Sequence, residues 1–250
     1  MSGHSKWSTI KRKKGAEDAK RGRIFTKLAR DITIAARESG GDESANPKLK
    51  LAIAKARASN MPKDNIERAI KKGTGELESG QMEEITYEGY GIDGIAFIVE
   101  VFTDNRNRAL ADVKHAFNKA GGSLASAGSV QWQFNQLGYI VIDSEGISFE
   151  EVFMVAAEAG AADVTEENGV VTIYTPRELL NVVAQALTQA GYELEESELR
   201  WEPQNETGLP LERAVKNMKL LDHLEELDDV QTVASNLKIT DEVVAAFETD

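Results

Sequence analysis

Cysteine is absent from the 250-residue chain, which excludes a disulfide framework, a thiolate metal site and a cysteine nucleophile. Histidine is scarce: His4, His115 and His223 stand in three separate segments with no H-x-x-x-H or H-x-H spacing to set two ligands on one face. No metal centre is therefore expected. Apolar runs are short. Ile95–Val99 and Val243–Phe247 are five residues each, against the ~18 that a membrane span requires. The segment Met1–Lys14 is polar and basic without the apolar stretch of a secretory signal, so the sequon Asn205-Glu206-Thr207 carries no expected glycan. A cytoplasmic protein with no membrane partner and no small-molecule substrate is the expectation.

Positive charge is also in deficit, with 29 Lys and Arg against 42 Asp and Glu, a net charge of -13. Taken whole, that balance argues against a polyanionic partner. Its distribution argues the opposite. Residues 1–75 hold 19 Lys and Arg against 8 Asp and Glu, a surplus of 11 positive charges; residues 76–250 hold 10 against 34, a surplus of 24 negative ones. Such asymmetry points to a basic arm or domain that meets nucleic acid or a membrane.

What remains is ordinary for a globular protein, 41% hydrophobic and 28% charged, and long enough for two or three domains. After a polar arm, Ser2–Gly15, a helix is expected over about Ala16–Ser39, with Ile24, Phe25, Leu28, Ile32, Ala35 and Ala36 on one face. Lys20, Arg23, Lys27, Arg30 and Arg37 fall roughly opposite that face. Asn46-Pro47 opens a second helix through about Ala58. A third runs over about Lys63–Lys72, stopped by Gly73, with Lys71 and Lys72 at the negative end of its dipole.

The period then changes. Ile85–Tyr90 and Ile95–Thr103 read as strands, Arg106–Ala120 as a helix and Val130–Phe134 as a strand. From Tyr139 the order is strand, helix, hairpin about Asn168-Gly169, helix, strand, which is the βαββαβ of a ferredoxin-like unit. A helix from Leu211, a strand near Val230–Ala234 and a helical turn at Asp241–Phe247 follow. The expected class is α+β with three domains: an N-terminal three-helix domain (1–78) and two α/β sandwich domains. One of these is discontinuous (79–134 plus 207–250) and receives the ferredoxin-like one (135–206) as an insertion.

Motifs for chemistry are few. Gly89-Tyr90-Gly91-Ile92-Asp93-Gly94 is a literal G-x-G-x-x-G, but a strand follows where a dinucleotide site needs a helix, so it reads as a turn. The acidic clusters Glu193–Glu198 and Asp222–Asp229 alternate with apolar residues as solvated faces do. Gly121–Ser129 reads as a mobile loop or tight turn with no assignable chemistry. No nucleophile, acid–base pair or cofactor loop emerges; the expectation is a non-enzyme without cofactor.

The basic segment is where charge type, density and periodicity agree. Lys6, Lys11, Arg12, Lys13, Lys14, Lys20, Arg21, Arg23, Lys27 and Arg30 are the candidate phosphate contacts, and Trp7 a base-stacking residue. A solvated helix face explains mixed charges but explains such a surplus less well. Arg106 and Arg108 oppose the dipole at a helix N-terminus and form a second candidate phosphate contact, beside a simpler role of Asp104 or Asn105 as a structural cap.

Several stretches resemble the YebC family, also called the YebC/PmpR transcriptional regulators, which has an organellar branch of translational activators. They are Gly3-His4-Ser5-Lys6-Trp7, Arg21-Gly22-Arg23-Ile24-Phe25-Thr26-Lys27-Leu28, Asn60-Met61-Pro62-Lys63-Asp64-Asn65-Ile66, Tyr87-Glu88-Gly89-Tyr90-Gly91, Thr103-Asp104-Asn105-Arg106-Asn107-Arg108 and Gly121-Gly122-Ser123-Leu124. Ile92-Asp93 departs from the family's usual proline after Tyr90-Gly91. The resemblance implies three domains and a cytoplasmic, non-enzymatic regulator of gene expression. It implies DNA as partner or, alternatively, ribosomal RNA and tRNA during translation of proline-rich stretches. The acidic domains are left to position the protein or to meet other proteins.

Overall fold

The computed structural model describes residues 21–77, 82–167 and 169–249, the side chains of 21–23 excepted. Its first layer is helical: α1 (Arg21–Ser39), α2 (Pro47–Ala58) and α3 (Lys63–Thr74). Their shared core is Ile32, Ala35 and Ala36 of α1, Leu49, Ile53 and Ala56 of α2, and Ile66 and Ala69 of α3. Asn46 fixes the first corner. Its Oδ1 accepts from Leu49 N at 3.0 Å to cap α2, while its Nδ2 donates to Ala35 O and Gly40 O at 2.8 and 2.9 Å. One buried side chain thus satisfies orphan groups at both helix ends.

Helix α3 does not stop at Gly73 as expected. It continues to Thr74, and Gly75 closes it in the left-handed region at φ 81°. Gly73 is instead where α3 crosses α1: a Cβ there would lie 2.4 Å from Thr33 O and 2.7 Å from Ala36 Cβ. The glycine permits helix contact, and its neighbour two residues on supplies the stop.

The first sheet has the order β3-β1-β2-β8, made of β1 (Glu83–Tyr90), β2 (Ala96–Thr103), β3 (Ser123–Ala125) and β8 (Val230–Ser235). All its pairings are antiparallel, with Glu84 opposite Phe102 and Tyr90 opposite Ala96. The G-x-G-x-x-G stretch is the β1–β2 turn, held by Asn217, whose side chain accepts from Ile92 N at 3.0 Å and donates to Ile92 O at 3.2 Å. Phe97, Val99 and Val101 of β2 pack under α4 (Arg106–Lys119), α7 (Leu211–Glu225) and α8 (Asp241–Thr249). The strand expected at Val130–Phe134 is a 3-10 turn, Gln131–Gln133. The strand of that region is β3, because the chain after Gly121-Gly122 reaches the edge of β1 directly.

Asn135–Glu202 forms a compact unit of its own, and the other described residues form the second. In it the order β5-β6-β4-β7 is built from β4 (Phe134–Asp143), β5 (Asp163–Glu167), β6 (Val170–Pro176) and β7 (Glu196–Pro203). Helices α5 (Phe149–Glu158) and α6 (Leu180–Gln189) bury Val152, Ala156, Val183 and Leu187 against Ile140, Ile142, Val171 and Ile173. This is the ferredoxin-like order, with the two crossover helices on one face. On the other face Arg200 lies 3.7 Å above the Tyr139 ring and pairs with Glu196 and Glu198, both at 2.7 Å. Among the described residues no helix is long and apolar enough to cross a membrane.

Candidate nucleic-acid interface

The basic stripe of α1 divides at the limit of the described side chains. Lys6, Trp7, Lys11, Arg12, Lys13, Lys14 and Lys20 lie outside the described residues, as do the side chains of Arg21 and Arg23. The remainder of the stripe faces the first sheet and its helices. Lys27 donates to the carbonyl of Glu225, the last residue of α7, where the helix dipole is negative and a carbonyl lacks an intrahelical partner. Arg37 donates to Met82 O at 3.0 Å, with its guanidinium 5.9 Å from the Phe102 ring.

Arg30 and Arg108 converge on one carboxylate. Asp229, its side chain only 7% exposed, sits in the turn between α7 and β8, its own carbonyl accepting from Phe102 N at 2.9 Å. The Arg30 guanidinium pairs with it through Nη2. Arg108 reaches it through Nε at 3.0 Å and Nη2 at 2.9 Å, and binds Asp104 at 3.0 Å. Hydrogen bonding to Asp229 holds the Arg108 proton more tightly than in a free guanidinium. A carboxylate shared by two arginines with forked contacts is a strong, directional latch. It ties α1, α4 and the β8 turn together.

The second candidate contact separates into two roles. Asn105 caps α4, its Oδ1 accepting from Arg108 N at 3.1 Å, and Thr103 Oγ1 accepts from Asn105 N at 3.0 Å. Arg108 belongs to the latch. Arg106 is exposed beside Tyr87, where its charge opposes the upward push that burial gives the Tyr87 hydroxyl.

The cations left over are on α3. Arg68 and Lys71 are exposed and Lys72 half-buried, and among the described residues none of the three forms an ion pair, although Asp64 stands one turn before Arg68. Arg68 and Lys72 line a cleft of about 370 Å³ between α1, α3 and the start of α4. Its apolar wall comes from Phe25, Ala29, Met61, Ala69 and Met82; Arg30, Arg108 and Asp104 stand opposite. The sequence reading gave Lys72 only a role at the dipole and Arg68 none. The signal was the i, i+4 spacing of two cations on a helix whose other face is core.

The loop after β3, expected to be mobile or a tight turn without chemistry, is an ordered cage. The Glu88 carboxylate, buried on β1, accepts from Gly128 N at 2.6 Å, Val130 N at 2.7 Å and Gln131 N at 3.0 Å. Burial pushes its pKa up, but the amide donors outweigh that and hold it below the ordinary value. The loop so fixed presents Trp132, 70% exposed, with Nε1 donating to Ser129 O at 3.0 Å. A buried acid amid apolar strand residues marks such a site, since an unpartnered carboxylate does not persist there.

Comparisons with known proteins agree over the length of the chain. Residues 5–76 match the family model of the TACO1/YebC protein N-terminal domain, and residues 82–237 that of the TACO1/YebC second and third domain. A probable transcriptional regulatory protein of Syntrophotalea carbinolica is 52% identical over 98% of both chains, and one of Treponema denticola is 51% identical over 96% of this chain and 97% of its own. The crystal structure of a conserved hypothetical protein from Aquifex aeolicus, 45% identical, superposes with a TM-score of 0.80 over 90% of this chain and 93% of that one. The chain belongs to the TACO1/YebC family.

Proposed function

We infer that this chain is a non-enzymatic, nucleic-acid-binding regulator of gene expression, acting as a DNA-binding transcriptional regulator. The observation that carries the reading is the sorting of charge, a surplus of 11 positive charges in residues 1–75 against 24 negative ones in the rest. The names of the Syntrophotalea and Treponema relatives support the regulatory part. Lys6, Lys11–Lys14, Lys20, Arg21 and Arg23 neutralise phosphates and release counterions, and Trp7 stacks on a base. Arg68, Lys71 and Lys72 extend the cationic surface. The acidic body confines the polyanion to that end, since the rest of the surface repels it.

Binding to duplex DNA and to purified ribosomes across a salt series tests the reading, ribosomal RNA offering the same phosphates in a different setting. With about 6–10 phosphates contacted, affinity for DNA falls roughly 10³- to 10⁵-fold between 50 and 200 mM salt. Salt-sensitive binding to ribosomes alone moves the function to translation; salt-independent or absent binding to both overturns it. Neutralising Lys11–Lys14 weakens binding and leaves the melting temperature unchanged. An unaltered affinity removes the arm from the mechanism.

A further inference from the structure

The cleft beside α3 combines three features that phosphate contact alone does not require. The first is an unbalanced charge. Four cations line it, but Arg30 and Arg108 are matched by Asp229 and Asp104, so the surplus is Arg68 and Lys72, one turn apart. The second is an apolar wall with an aromatic ring, Phe25 together with Met61. The third is a buried donor with nothing to bind: Nη1 of Arg30 has no hydrogen-bond partner among the described residues. A buried guanidinium nitrogen left unpaired is costly, and it favours a ligand that brings an acceptor.

A nucleoside monophosphate unit supplies the complement of all three. Its phosphate meets two cations, its base has a flat apolar face, and its ring edge carries acceptors. At about 370 Å³ the cleft has room at the lower end of ordinary ligand sites, which run from about 300 to 1,000 Å³. A base inside a duplex presents no free face and cannot enter; an unstacked one can. We propose that this cleft holds one unpaired nucleotide of a bound strand, its phosphate on Arg68 and Lys72 and its base against Phe25 and Met61. The proposal rests on the nucleic-acid reading above and adds a preference for nucleic acid with a displaced base.

The test uses the full-length protein and two fluorescein-labelled duplexes, identical except that one carries a single unpaired adenine. Anisotropy titrations at one salt concentration compare them. The bulged duplex binds at least about fivefold more tightly, the lower end of what stacking one base contributes. Arg68→Ala with Lys72→Ala brings the two affinities within about twofold of each other and leaves the paired duplex where it was. Both positions lie on the solvent side of α3, and an unchanged melting temperature verifies that the variant folds. Equal affinity of the wild type for the two duplexes overturns the proposal alone and leaves the nucleic-acid reading intact. So does a preference that survives the double variant. Binding to neither duplex overturns both. Equilibrium dialysis with adenosine monophosphate separates the source: free nucleotide held as tightly as the bulged strand overturns the strand-borne ligand and assigns the cleft to a small molecule.

Discussion

Helices α1 and α3 both carry cations opposite an apolar face, yet the fold treats them differently. On α1, Lys27, Arg30 and Arg37 meet Glu225 O, Asp229 and Met82 O, all from the first sheet and its helices. On α3, Arg68, Lys71 and Lys72 meet no acidic partner among the described residues. The difference is one of neighbours, not of residue type. An acidic body is an anion that the chain carries with it, and the helix that docks on it has its charge satisfied internally. Counting lysines and arginines therefore overstates what is available to an external polyanion by those the fold has already engaged.

The largest effect that tests this contrast is at Asp229. Asp229→Ala leaves Arg30, itself largely buried, and Arg108 without their shared carboxylate, and removing one partner of such a pair costs about 3–5 kcal/mol. Because Arg108 is half exposed, the lower end of that range is expected. Urea midpoints measure it; a loss under about 1 kcal/mol means that the latch is a surface pairing and that α1 is no different from α3. Glu88 is the corresponding test for a charge satisfied by backbone alone. Glu88→Gln costs about 1–3 kcal/mol at neutral pH, since amide donors lose their charged acceptor. The folded carboxyl titrates below its unfolded value of about 4.3, so its contribution is present above that pH and is lost as pH falls through the lower folded value. The gap between wild type and variant accordingly closes on acidification, read as converging midpoints below about pH 4.

Much of this was legible in advance because it is local. The apolar periodicity of α1, the Asn46-Pro47 entry to α2 and the βαββαβ series are set by neighbours within a few residues, and the elements stand at or within a few residues of where those signals point. What escaped was decided by distant partners. Gly73 reads as a stop, but α1 packs against it and moves the stop to Gly75. Val130–Phe134 has strand composition, but the amides around it are taken by Glu88 forty residues earlier, which leaves a turn. Asp229 reads as one of several solvated acids and is a buried hub, because two arginines from distant elements converge on it. At the candidate interface the type of residue was legible, whereas the share already engaged was not.

Smaller effects separate the two helices more finely. Lys27→Met keeps the packing of a long side chain and removes one cation from the α7 terminus, a loss of about 0.3–1 kcal/mol in denaturant midpoint. The α3 pair is expected to show the reverse balance, nothing in stability and something in binding. Arg68→Ala with Lys72→Ala removes no ion pair among the described residues and no core contact, so unfolding free energy stays within about 0.5 kcal/mol of wild type. If each cation neutralises a phosphate, the slope of log affinity against log salt for the bulged duplex becomes shallower by about 1.8, two contacts at about 0.9 each. Lys27→Met, its cation engaged within the fold, leaves that slope unchanged. A slope that responds to Lys27 and not to Arg68 and Lys72 reverses the contrast, because the polyanion would then be displacing the internal partners of α1 rather than occupying the cations that α3 leaves open.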